Sequence, residues 1–126
     1  MLSIRYILAA AVFTLLGCSS SDITSASDIV FPATHVSFKA QVEPLFTVSC
    51  NITGCHDVAR NSNNNVDLTS WISVRSINVV NQPGDTNCGL IEVVFGRGGI
   101  IHPSMNLNDN NRQGLKQWVI EGAQNN

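Results

Sequence analysis

The chain is poor in charge, in aromatic rings and in long apolar runs. Charged residues make up 13% of its 126 residues and the formal net charge is −2. It therefore has no basic field with which to hold a nucleic-acid backbone or an anionic lipid surface. The N-terminal apolar run, "ILAAAVFTLL" at residues 7–16, is too short to span a bilayer, which takes about 20 residues as a helix. Aromatics amount to 6%, and the single tyrosine, Tyr6, lies in that N-terminal region. What remains for a core is Phe31, Phe38, Phe46, Trp71, Phe95 and Trp118. A domain this small buries a modest share of its surface and often relies on a staple, a metal or a cofactor. No internal repeat, phosphate-cradling loop or nucleophile–base pair is visible. The glycines at 96–99 lack the spacing and strand–helix context of a dinucleotide fingerprint. No catalytic residue is assigned.

The N-terminus reads as an address label. Arg5 and the free amino group precede the apolar run, which then meets Gly17 and Cys18. This "LLGC" ending resembles a bacterial lipoprotein signal, in which the peptide is cut before the cysteine and the cysteine is acylated. Residues 1–17 are then the signal peptide and Cys18 the lipidation site. The cut removes one basic residue and no acidic one, so the mature chain is slightly more acidic than the whole. Attachment to a membrane would come from the acyl chains, each buried methylene contributing about 0.8 kcal/mol. Residues 18–30, small and polar, read as a flexible tether. The folded domain is expected over 31–126.

Helix signals dominate that domain. Val42, Leu45 and Phe46 fall at helical spacing, with Pro44 suited to a first turn, and the helix runs into Cys50. "VDLTSW" at 66–71 looks extended before a helical turn near 69–76. Leu90, Ile91, Val93 and Val94 make a short apolar helix that stops at Gly96. The last helix is the best marked: Asn108 is its N-cap, Leu115, Trp118 and Val119 form its apolar face, and Gly122 follows its end. Gly114 inside it offers a place for another helix to approach. The fold class is mostly α with long loops.

The chemistry concentrates in "SCNITGCHD" at 49–57. With Cys18 lipidated, Cys50, Cys55 and Cys88 remain, an odd number in an oxidising compartment. Three readings compete. A disulfide could join Cys50 to Cys55 or Cys55 to Cys88. A zinc ion could take Cys50, Cys55, His56 and Cys88, or His102 in place of one, although exported domains seldom keep thiolate zinc. Covalent haem attachment needs two thiols for the two vinyl groups and an imidazole directly after the second thiol. The usual spacing is C-x-x-C-H, and here two extra residues must bulge, with Gly54 the residue most able to turn. Asn51-Ile52-Thr53 also matches a glycosylation acceptor, an idle match behind a bacterial signal.

Beyond this motif, the chain from 38 to 123 resembles a small c-type cytochrome domain of exported bacterial proteins, the planctomycete-type cytochrome c group. Four features match in order. "VEPLFTVSCNITGCHD" resembles that family's apolar helix running into its cysteines and histidine. "VDLTSW" resembles its "LDL-S" segment, and "QPGDTNCGL" its "PGD" turn and helix. "HPSMNLNDNNRQGLKQWVIEGA" resembles its methionine loop and final helix. The family's proline after the methionine is Asn106 here, while His102-Pro103 lies just before.

The resemblance implies a small cytochrome c-like helical domain wrapped around one covalent haem c. Cys50 and Cys55 would hold the ring, His56 would be the proximal ligand, and Met105 the distal one, with His102 the alternative. It implies a monohaem electron carrier, not an enzyme, that exchanges single electrons with redox partner proteins. A haem peroxidase or sensor would need an open distal position. With Cys18 acylated, the expected location is the bacterial cell envelope, lipid-anchored and periplasmic or surface-facing. Ser19 resembles the pattern of lipoproteins moved to the outer membrane. The alternative is a haem-free, disulfide-stabilised envelope lipoprotein with a structural or adhesive role.

Overall fold

The structure is a computed structural model and describes residues 22–53, 55–56, 67–76, 79–97 and 105–126. The signal region, Cys18, Gly54 and His102 lie outside the described residues. Helix is the regular structure found, and no strand occurs among the described residues. Nor is any described helix long and apolar enough to cross a membrane.

Among the described residues four α-helices are formed: α1 (Glu43–Ser49), α2 (Trp71–Val74), α3 (Gly89–Val94) and α4 (Asp109–Ile120). The expected helix before Cys50 is present, and it continues upstream as a π-helix over Phe38–Val42. Pro44 explains the widened turn. Its ring lacks an N–H and crowds the carbonyl four residues back, so the preceding turn bonds at longer spacing. The Ser37 hydroxyl accepts from the Ala40 amide and caps this entry. Short helices α2 and α3 fall where the sequence places them, and α3 ends at Gly96, which adopts φ +65°.

Helix α4 organises the rest. Asn108 caps it by accepting from the Asn111 amide, and the Asn111 side chain bonds back to the Asn108 amide. Gly122 just beyond its end takes φ +97°, the left-handed geometry of a helix terminator. Leu115, Trp118 and Val119 are buried, as their spacing predicts. The Trp118 ring packs 5.7 Å from that of Phe38, and its indole N–H donates to the Gln124 carbonyl. The C-terminus is held too, because Lys39 and Phe38 amides and the Ser37 hydroxyl all bond to Asn126.

Two expectations are corrected. Part of the 18–30 stretch expected as a flexible tether belongs to the folded body. Ala26–Asp28 forms a 3-10 turn, and Ala26 and Ile29 are buried in the core. The fully buried Asn111 donates to the carbonyls of both, and Asn110 bonds Phe31 through its amide and its carbonyl. Packing thus starts before the boundary expected at Phe31. The small residue Gly114 admits no second helix. It receives the Phe31 ring of this same strap, so closely that a Cβ at Gly114 would overlap it.

Candidate functional site

Helix α1 delivers its last residues to the site. The Cys50 and Asn51 amides both donate to the Phe46 carbonyl, at 2.9 and 2.8 Å, which ends the helix and turns the chain. The Cys55 amide then donates to the Ile52 carbonyl at 3.0 Å, and the His56 amide returns to the Cys50 carbonyl at 3.1 Å. These two bonds tie Cys55 to Ile52 and His56 to Cys50. The His56 backbone therefore returns to Cys50 despite the longer spacing.

The loop opens onto an apolar cavity of about 210 Å³. Cys50 and His56 line it from the loop, and Met105 lines it from the segment before α4. Leu45 and Phe46 come from α1, Leu90 and Val94 from α3, and Leu115 from α4. Leu68, Val79 and Leu107 complete the apolar wall. Three of the sequence-predicted site residues therefore meet at one cavity. Cys55 is half-buried in the same loop, and Met105 is half-buried and packed against the core. His102 and Gly54 lie outside the described residues, as does Cys18.

Electrostatics bears on the rival readings. Burial pushes the Cys50 thiol up to about 12, and the nearby Cys55 adds to the shift. Burial also raises Cys88 above the ordinary thiol range. Zinc needs thiolates, and among the described residues no three of His, Cys, Asp and Glu gather to hold a metal ion. Cys50 and Cys88 are free thiols, so neither a Cys50–Cys55 nor a Cys55–Cys88 bridge is formed. Cys88 sits buried at the start of α3, a small packed residue. His35 is exposed, with Nδ1 3.1 Å from the Thr34 hydroxyl, and takes no part in the cavity.

A cavity walled by Leu, Val and Phe, with a thiol and an imidazole on one side and a thioether in reach, is chemically suited to haem. An apolar wall takes the ring faces, nitrogen and thioether sulfur are iron ligands, and the thiol can form a thioether. Two side chains carry buried polar atoms without a partner among the described residues: both amide atoms of Asn51 and Nε of Arg75. Native proteins keep few such groups, and each asks for an explanation. Reasoning from the sequence missed both, along with Leu68 and Val79. The sequence signal was slight: an arginine between apolar residues in "WISVRSINVV".

No protein-family profile, curated protein or solved structure matches the chain.

Proposed function

We propose that the protein is a monohaem c-type cytochrome, held to a bacterial envelope membrane by lipidated Cys18, that carries single electrons. The observation that carries this reading is the convergence of Cys50, His56 and Met105 on one apolar cavity. Haem bound there would supply a reversible one-electron change at its iron. Cys50 and Cys55 would fix the ring through thioether bonds. His56 would ligate from the loop side and Met105 from the segment before α4, with His102 the alternative. The loop bonds His56 N–H to Cys50 C=O and Cys55 N–H to Ile52 C=O hold the thiols and the imidazole in register. The aliphatic walls exclude water, which limits rearrangement between oxidation states and favours electron transfer over ligand chemistry. The domain is a small helical wrap around the group, and its partners are redox proteins of the same compartment.

The test is export of the chain together with a haem-attachment system, followed by a visible spectrum. Sharp reduced-state bands are expected; a colourless product, under conditions in which a control cytochrome matures, would contradict the proposal. The ligand assignment has its own test. In the haem-loaded protein, Met105→Ala should turn a low-spin spectrum high-spin and lower the potential, and His102→Ala should do neither. The reverse outcome would transfer the role to His102. Ready binding of carbon monoxide to the reduced wild type would favour an open-site enzyme or sensor instead.

A further inference from the structure

The strap ahead of Phe31 fixes where the chain leaves the folded body. The Asp28 carboxylate accepts from the Thr24 and Ser25 amides at 3.1 and 2.9 Å, and from the Thr24 hydroxyl at 3.2 Å. Ala26 and Ile29 are buried, and the Asn111 side-chain amide donates to both their carbonyls at 3.1 Å. The body therefore starts at Thr24, and residues 19–23 are what separates it from Cys18. A fully extended chain gains about 3.3–3.6 Å per residue, so Thr24 stands no more than about 22 Å from Cys18. A tether running over the whole of 18–30 would reach roughly twice as far.

Two apolar side chains are held outward on this strap. Val30 is 75% exposed and Ile23 is 41% exposed. Val30 sits between the buried Ile29 and Phe31, and the backbone at Ile29 is extended, with φ −101° and ψ 115°. Successive side chains of an extended chain point to opposite sides, so docking its two neighbours turns Val30 outward. A single exposed apolar residue is ordinary. These two are set apart by their place, within a short reach of the acyl chains on Cys18. No lysine or arginine occurs between residues 18 and 38, whereas Asp22 and Asp28 do. An anionic lipid surface is held by clustered basic residues, so this strap fits a zwitterionic one.

We infer that the strap, through Val30 and Ile23, rests on the zwitterionic lipid surface into which the acyl chains of Cys18 insert. The inference rests on the lipidation of Cys18. Two side chains make a weak contact alone, but the short tether makes it intramolecular and raises its effective concentration. The contact orients the domain. Asn110, Asn111 and Gly114 grip the strap in the first half of α4, and that end is the one nearer the membrane. Ile72 belongs to the other end, because its neighbour Trp71 donates its indole N–H to the Ala123 carbonyl, beyond the C-terminus of α4. The 12 residues of α4 span about 18 Å. Ile72, 77% exposed, is thereby kept away from lipid.

The experiment puts a photo-crosslinking benzoylphenylalanine in place of Val30, or of Ile72 as the control, in the full chain, exported and lipidated. Both positions are on the surface, so packing is undisturbed. Each protein is reconstituted in vesicles of phosphatidylcholine and phosphatidylethanolamine, irradiated and read by intact mass. Lipid adducts should form several-fold more at position 30 than at position 72, and the yield at 30 should fall when phosphatidylglycerol replaces the zwitterionic lipid. Equal yields at the two positions, or none at position 30 on a chain with acylated Cys18, would overturn the lipid contact alone. A yield at 30 that holds or rises on phosphatidylglycerol would overturn the zwitterionic assignment. In native membranes, a protein adduct at position 30 in place of the lipid one would overturn the contact as well, since another macromolecule then covers the strap. A Cys18 without acyl mass would overturn the lipidation reading on which the inference rests.

Discussion

At the scale of the residue, Cys50 shows how burial governs reactivity. Its thiol is pushed up to about 12 by loss of water, with Cys55 reinforcing the shift. The thiolate is the nucleophile, so a thiol held neutral is inert. Iodoacetamide at about pH 8, below the raised thiol value, should leave Cys50 unlabelled in the folded haem-free chain and label it once the chain is unfolded. Peptide mass mapping checks this, and rapid native-state labelling of Cys50 would contradict it. Glu121 makes the opposite case. Its carboxyl is held below the ordinary glutamate range, first by the Gln117 amide and then by the Val36 and His35 backbone amides. A depressed folded value means that the carboxylate contributes stability above its unfolded pKa, and that this is lost as pH falls through the folded one. Glu121→Gln should therefore cost about 1 kcal/mol at neutral pH and little in acid, read from denaturant midpoints at the two pH values. A loss of equal size at both would contradict the assignment. Part of the lining of the candidate cavity was legible at this scale. Spacing singles out Cys50 and His56, and the family resemblance singles out Met105; all three line the cavity. Arg75 and Asn51 were not legible, since what marks them is a buried polar atom with no partner among the described residues.

At the scale of the element, α4 shows which features a sequence carries and which it hides. Its cap at Asn108, its apolar face at Leu115, Trp118 and Val119, and its stop at Gly122 follow from local rules, and all are present. The role of Gly114 does not follow from local rules, because its neighbour Phe31 belongs to a segment docked by Asn110 from 79 positions away. Nor does the docking of Ala26 and Ile29, which depends on Asn111 acting as a buried donor between two carbonyls. A polar residue in a helix face gives no sign of such a strap. Likewise, the π-helical entry before α1 depends on how Pro44 and its upstream carbonyl share space. The contact yields a sharp expectation. Gly114→Ala gains about 1 kcal/mol in helix propensity, yet the new methyl meets the Phe31 ring, and overpacking costs about 1–3 kcal/mol. The variant should be less stable than wild type. Adding Phe31→Ala should remove the overpacking cost, so that a double-mutant cycle shows a coupling above about 0.5 kcal/mol. Strict additivity would contradict the contact.

At the scale of the whole molecule, part of the buried apolar core, with Leu45, Phe46, Leu90 and Leu115 among it, lines a cavity. The helices are short, and three of them contribute to the cavity wall, so filling it should stabilise the entire domain. The central claim is that Cys50 and Cys55 attach one haem. The most direct measurement is intact mass under denaturing conditions, on protein exported with a haem-attachment system. The account predicts the lipidated or processed chain plus one haem, surviving denaturation, and loss of that added mass when Cys50 and Cys55 are both replaced by alanine. A bare polypeptide mass for the unaltered chain, where a control cytochrome is loaded, would contradict it.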